Sequence, residues 1–137
     1  MTDTTTRRMD NNDTPSRMDI EQCAELLFRC GASFDMFTSQ MRRALSLNAH
    51  ERLAISIIWA RGPQAMSDLG MWIPLSRAAV TTLVDRLESA GLVERGSDDA
   101  DRRRTVVSLT DDAIERMKPV LVPWGVALAG MLDEMSD

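Results

Sequence analysis

The chain has 137 residues, 44% of them hydrophobic, and a formal net charge of −5 at pH 7. That length suits one domain with a buried core, and the apolar run VLVPWGVALAGML is too short to span a bilayer. The acidic balance argues weakly against a nucleic-acid partner, but only until the positive charge is located.

Residues 1–18 are polar and Thr/Asp/Asn-rich, and read as a disordered tail. They hold no apolar segment of a secretory signal, so the expected location is cytoplasmic. A long helix is predicted over residues 19–46, because Ile20, Cys23, Leu27, Cys30, Phe34, Phe37, Met41 and Ala44 recur at alternating steps of three and four. Cys23 and Cys30 on such a helix stand roughly 10 Å apart, beyond disulfide reach. With His50 as the only histidine, no metal cluster is expected.

Asn48 and Glu51 have the spacing of a capping box. The helix they start should run to about Ala60, with Leu53, Ile57 and Ile58 inward, and stop at Gly62-Pro63. A short helix over Met66–Met71 follows, then a turn at Pro74. Ser76 is a suitable N-cap for a helix from Arg77 to Ala90, with Ala79, Val80, Leu83, Val84 and Leu87 inward and Gly91 at its end. Leu92–Arg95 and the β-branched Thr105–Leu109 read as two strands of a hairpin, with a turn at Ser97–Asp101. Thr110 then caps a last helix over 111–137, striped by Ile114, Met117, Leu121, Trp124, Leu128, Met131 and Met135. Pro119 and Pro123 are expected to kink or split it.

The fold class is therefore mainly α with a small β-hairpin: a winged helix–turn–helix over 47–110 between two striped terminal helices. In that geometry the second short helix enters the DNA major groove with its N-terminal residues on base edges. Ser76, Arg77, Thr81 and Thr82 lie at that end, and Asp85, Arg86 and Ser89 lie further along. Arginine suits guanine or phosphate, and threonine suits phosphate or a thymine methyl. The stretch DDADRRRTVVSLT sets the tightest arginine cluster of an acidic chain at the hairpin tip. There Arg102 and Arg103 fall over the adjacent minor groove, whose narrowness concentrates negative potential. Asp101 is placed to hold an arginine side chain in one rotamer, and Asp98 and Asp99 suit turn positions. Charge counting alone does not decide the matter. Between Ser76 and Arg104 there are six arginines and six acids, so the outcome depends on how folding segregates them.

The segments LSRAAVTTLVDRLESAGLVER (Leu75–Arg95) and DRRRTVVSLT (Asp101–Thr110) resemble the MarR family of winged-helix bacterial transcriptional regulators. The resemblance covers the recognition helix, the strand after it and the wing. It implies a homodimer whose terminal helices interlock, with two winged lobes on successive turns of palindromic double-stranded DNA. It implies DNA contacts by Ser76, Arg77, Thr81, Thr82, Asp101 and Arg103. Thr82 stands where family members often carry a basic residue, Pro74 where glycine is common and Trp72 where a polar residue is common; Trp72 is expected to pack on the turn. With 27 residues after Thr110, the C-terminus has room for one long helix or one and a stub, instead of the family's usual two.

Many such regulators release DNA when a small aromatic compound binds between the dimer region and the winged lobe. By that resemblance, Phe34, Phe37, Met41, Trp59, Trp72 and His50 are the residues to consider. Core packing is the better account of each aromatic and of Met41, and His50 in a first helical turn reads as a surface residue near the cap. Oxidant sensing by Cys23 or Cys30 is disfavoured by their place on the inward stripe and by the absence of tyrosine. No catalytic or phosphate-loop motif accompanies these features, so no enzyme and no cofactor is expected. The rival reading is a winged-helix module that binds protein, an anti-repressor or regulator partner, which the acidic balance and Thr82 favour.

Overall fold

The computed structural model describes residues 17–136. In chain order these form α1 (Arg17–Leu45), α2 (Ala49–Arg61), β1 (Gln64–Ala65), α3 (Met66–Trp72), α4 (Arg77–Ser89), β2 (Val93–Ser97), β3 (Thr105–Leu109) and α5 (Asp111–Ser136). The expected tail falls mostly outside the described residues, but Arg17 and Met18 already belong to α1.

Local chemistry sets most boundaries. Leu47 N–H donates to the Arg42 carbonyl at 2.8 Å, closing α1 around Ser46, whose φ is 54°. Asn48 Oδ1 accepts from Glu51 N at 2.9 Å while Asn48 N donates to Glu51 Oε2 at 3.0 Å, a complete capping box. Ser76 Oγ accepts from Ala79 N at 3.1 Å and opens α4. Gly91, at φ 74°, ends α4 with the left-handed turn that favours glycine. Thr110 Oγ1 accepts from Ala113 N at 3.1 Å and donates to the Gly91 carbonyl at 2.6 Å, so one hydroxyl caps α5 and ties it to the end of α4.

One core runs through the winged lobe and on to Met41 and Leu45 of α1 and Ala113, Met117 and Val120 of α5. Val80, Leu83, Val84 and Leu87 of α4 pack with Ala54, Ile55 and Ile58 of α2, Leu69 of α3, and Leu92, Val93 and Val107 of the sheet. Each large aliphatic side chain enclosed this way contributes roughly 1.5–3 kcal/mol over its exposed state. The inward face of α2 differs from expectation. Ala54, Ile55 and Ile58 are buried, while Leu53 and Ile57 are partly buried at the margin. Helix α2 meets α1, α4 and β3 together, so its buried arc is wider than one stripe.

The sheet has three strands in the order β1-β3-β2, all antiparallel. The hairpin register pairs Val93 with Leu109 and Ser97 with Thr105, so β2 runs two residues beyond the expected strand. Strand β1 was not foreseen. Two residues carry no period of their own, and β1 exists because Gln64 and Ala65 pair with Val107 and Val106 on the free edge of β3.

Helices α1 and α5 pair antiparallel. Cys30 Sγ lies 3.8 Å from Met131 Sδ, Phe37 stacks on Trp124 with ring centroids 4.4 Å apart, and Arg29 Nη1 donates to Glu134 Oε2 at 2.7 Å. The two sequence stripes therefore face each other within one chain. They do so unevenly: Met41 and Met117 are buried, Phe37, Cys30, Trp124 and Met131 are half-buried, and Ile20, Cys23, Leu27 and Phe34 stay exposed. Both cysteines were expected inside; Cys23 is not. Met135 lies outside the described side chains.

Helix α5 runs unbroken through Pro119 and Pro123 instead of splitting. Each proline removes one backbone hydrogen bond. Burial of Ala113 and Met117 before the prolines and of Val120 between them, and the Trp124 and Met131 contacts after them, hold the helix across them.

The Arg29–Glu134 bond holds the Glu134 carboxyl below its ordinary value of 4.5. A depressed carboxylate contributes stability that is present above its unfolded-state pKa and lost as pH falls through the folded-state one. Thermal melts at pH 7 and pH 3.5 are expected to show an acid destabilisation that Glu134→Gln reduces. The pair is exposed, so the effect is small. Equal acid sensitivity in wild type and variant would remove this pair from the account.

Candidate nucleic-acid interface

The interface is built on α4 and on the hairpin tip between β2 and β3. Ser76 accepts the Ala79 amide through a lone pair, which leaves its hydroxyl proton available at the positive end of α4. Arg77 is exposed and, with Thr81, lines an open groove of about 710 Å³ that continues along Met66, Gly70 and Met71 of α3 and reaches Arg95 and Thr105.

Thr81 and Thr82 are exposed on α4. Their Oγ1 atoms donate to the carbonyls of Arg77 and Ala78, each at 3.1 Å. In that rotamer neither hydroxyl has a proton left for a phosphate oxygen, which only accepts. Their available chemistry is a methyl group and a lone pair, the pair of features that suits a thymine methyl and an amino group of a base.

At the wing tip, Asp98 Oδ1 accepts from Ala100 N and Asp101 Oδ1 accepts from Arg103 N, both at 3.0 Å. Arg104 N donates to the Asp101 carbonyl at 3.0 Å, and Asp98 N to the Arg104 carbonyl at 3.1 Å. Asp101 was expected to grip an arginine side chain. It binds the backbone instead, because a carboxylate two residues before an amide closes an Asx turn. The tip is thus shaped by its acids, and the side chains of Arg102 and Arg103 are exposed.

The arginines then sort into two sets. Arg95 donates to Asp85 at 2.6 Å and to Glu88 at 2.8 Å. The Asp85 bond raises the Arg95 pKa above its ordinary value, with the Glu88 charge adding to it. Arg104 Nη2 reaches Asp68 of α3 at 3.3 Å and its Nη1 lies 3.8 Å from Asp98. Arg86, expected on the DNA face, lies 3.0 Å from the buried Glu51 of α2. These three hold the lobe together. Arg77, Arg102 and Arg103 have no ion-pair partner among the described residues. Folding therefore ties Arg86, Arg95 and Arg104 into a paired scaffold and leaves Arg77, Arg102 and Arg103 outside it on the recognition helix and wing, as it leaves the carboxylates of Glu94, Asp99 and Asp101.

Sequence reasoning missed the clamps made by Glu51, Arg95 and Arg104. One signal was available for Arg95. It lies two residues after the buried Val93 and opposite Val107, on the inward face of a strand, where a cation requires partners.

The residues considered for an effector fall in two places. Phe34 and Phe37, with ring centroids 6.1 Å apart, join Trp124, and Met41 is enclosed in the core beside them. Trp59 and Trp72 belong to the winged lobe and are each 48% exposed. Trp72 was expected to pack on the turn; its ring lies beneath the Arg61 guanidinium, 4.0 Å from centroid to Cζ. His50 is exposed in the first turn of α2. Among the described residues, no cluster of His, Cys, Asp and Glu could hold a metal ion, and no helix is long and apolar enough to cross a membrane.

The MarR family model matches residues 47–105, the winged lobe described above. The chain is 40% identical over 123 residues to the uncharacterized HTH-type transcriptional regulator YcgE of Bacillus subtilis, covering 89% of this chain and 80% of that protein. Its fold is similar to that of the transcriptional regulator Tm0710 from Thermotoga maritima, at 23% identity and TM-score 0.62, over 83% of this chain and 81% of that one. It is also similar to MepR of S. aureus, solved in complex with DNA, at 20% identity and TM-score 0.53, over 81% and 86%. The family model covers the recognition helix and the wing tip, the match to YcgE extends over most of both chains, and the chain belongs to the MarR family.

Proposed function

We propose that this chain is a DNA-binding transcriptional regulator of the cytoplasm, a repressor that acts as a homodimer on a palindromic operator and works by binding, not catalysis. The observation that carries this reading is the set of three unpaired arginines, Arg77, Arg102 and Arg103, on the two elements a winged helix presents to DNA. Ser76 and Arg77 contact phosphate or guanine at the start of α4. Thr81 and Thr82 supply their methyl groups, and Arg102 and Arg103 enter the minor groove. Half-sites lie about 10 bp apart, one helical turn.

Release by a small effector fits the Phe34–Phe37–Trp124 cluster. The Trp124 indole Nε1 is shielded from solvent and has no acceptor among the described residues. A planar aromatic molecule bearing an acceptor oxygen would satisfy it while stacking on the rings.

The test is a fluorescence anisotropy titration with the duplex that the protein enriches from a random-sequence pool, at two salt concentrations. Preferred binding is expected, falling with salt at a log–log slope of about 0.9 per phosphate contact. Enrichment of no sequence, together with binding that salt leaves unchanged, would refute DNA reading and favour a protein-binding winged helix.

A further inference from the structure

Glu51 is 3% exposed and is the buried charged side chain among the described residues. Its Oε2 is occupied by the capping box at the start of α2. Its Oε1 faces Arg86 Nη2 at 3.0 Å and has no other partner among the described residues; the contact is ionic, without hydrogen-bond alignment. A carboxylate enclosed this way is costly unless a cation stays beside it.

Consecutive residues on a helix stand about 100° apart. Glu88 and Arg86, two residues apart, therefore leave α4 on opposite flanks of its exposed face, with Asp85 between them. Asp85 and Glu88 are held by Arg95 of β2 on one flank, and Arg86 is held by Glu51 of α2 on the other. The strip bearing Thr81, Thr82 and Ser89 lies on the face between them. A side-chain tip stands about 6 Å from the helix axis, so a roll of about 20° moves it about 2 Å. That displacement is enough to break a base contact.

We infer that Glu51, acting through Arg86, is a positioning residue that sets the roll of the recognition helix and hence the discrimination between operator and unrelated DNA. This inference rests on the DNA-binding reading above. Arg86 is then a strut of the reading head and touches no phosphate.

The test compares wild type, Glu51→Gln, Arg86→Met and the double variant. Glu51→Gln keeps an acceptor for the Asn48 amide and removes only the charge. Thermal melts establish that each variant is folded at the binding temperature. Anisotropy is read on the pool-enriched duplex and on a random duplex, at two salt concentrations. Each single variant is expected to lose about tenfold in operator affinity. The double variant should bind no more weakly than either single one, and random-duplex affinity and salt slope should stay at wild-type values. A merely structural role would lower the melting temperature without changing the operator-to-random ratio of folded protein, and that outcome overturns the inference. So does a salt slope reduced by about 1 in Arg86→Met with Glu51→Gln silent, which would make Arg86 a phosphate contact. A wild type with no operator preference sinks the DNA-binding reading itself, and the positioning role with it.

Discussion

Alanine at Arg103 is expected to weaken operator binding by about 1–3 kcal/mol, roughly a factor of five to 150. The expectation follows from how the wing tip is made. The Arg103 amide is held by Asp101 Oδ1 at 3.0 Å, while its side chain is exposed and unpaired. The backbone is thus set before DNA arrives, and little ordering of the main chain is needed on binding. Asp101→Ala should reproduce part of the loss although it removes a negative charge, because the tip loses the turn that aims Arg103. A pure charge effect predicts the opposite sign, tighter binding, so the two accounts separate in one anisotropy titration. Equal loss on operator and random duplexes in Arg103→Ala would identify a phosphate anchor. Loss confined to the operator would identify a reader of groove shape. Wild-type affinity in Arg103→Ala would remove the wing from the interface.

The elements and caps of the winged lobe were legible in the sequence because each is written locally. Asn48 with Glu51, Ser76, Gly91 and Thr110 mark ends by their own hydrogen bonds or backbone angles, and the β3 pattern is β-branched. What was not legible depends on groups distant along the chain. Strand β1 needs the edge of β3. The partner of Arg86 lies on α2, and that of Arg104 on α3. For this reason the sequence supports a list of six arginines but not their division into three struts and three free cations. At the prolines of α5 local propensity predicted a kink or a split, and packing on both sides holds the helix continuous, which leaves no split.

The terminal stripes illustrate the same limit and lead to the second large effect. The resemblance implies that they interlock with a partner's; part of their seam closes within one chain through Phe37–Trp124 and Cys30–Met131, while Ile20, Cys23, Leu27 and Phe34 of α1 stay exposed. On the homodimer reading proposed above, a partner is expected to meet the apolar side chains that this seam leaves uncovered. On α1, Leu27 is 73% and Phe28 81% exposed; on α5, Val122 is 61% and Val126 69% exposed. Large exposed apolar groups concentrated on two paired helices are expected to mark an association surface. Charging that surface with Phe28→Asp and Val126→Asp should yield a monomer by sedimentation. Neither side chain belongs to the core cluster, so the thermal transition of the winged lobe should survive. Operator affinity should then fall by about 10²–10⁴-fold, because the second half-site is no longer delivered at high effective concentration. Affinity for an isolated half-site should stay unchanged, since Arg77, Arg102 and Arg103 lie on the other lobe. A double variant that remains dimeric would place the partner elsewhere. A monomer that still binds the full operator with wild-type affinity would mean that each winged lobe reads DNA alone.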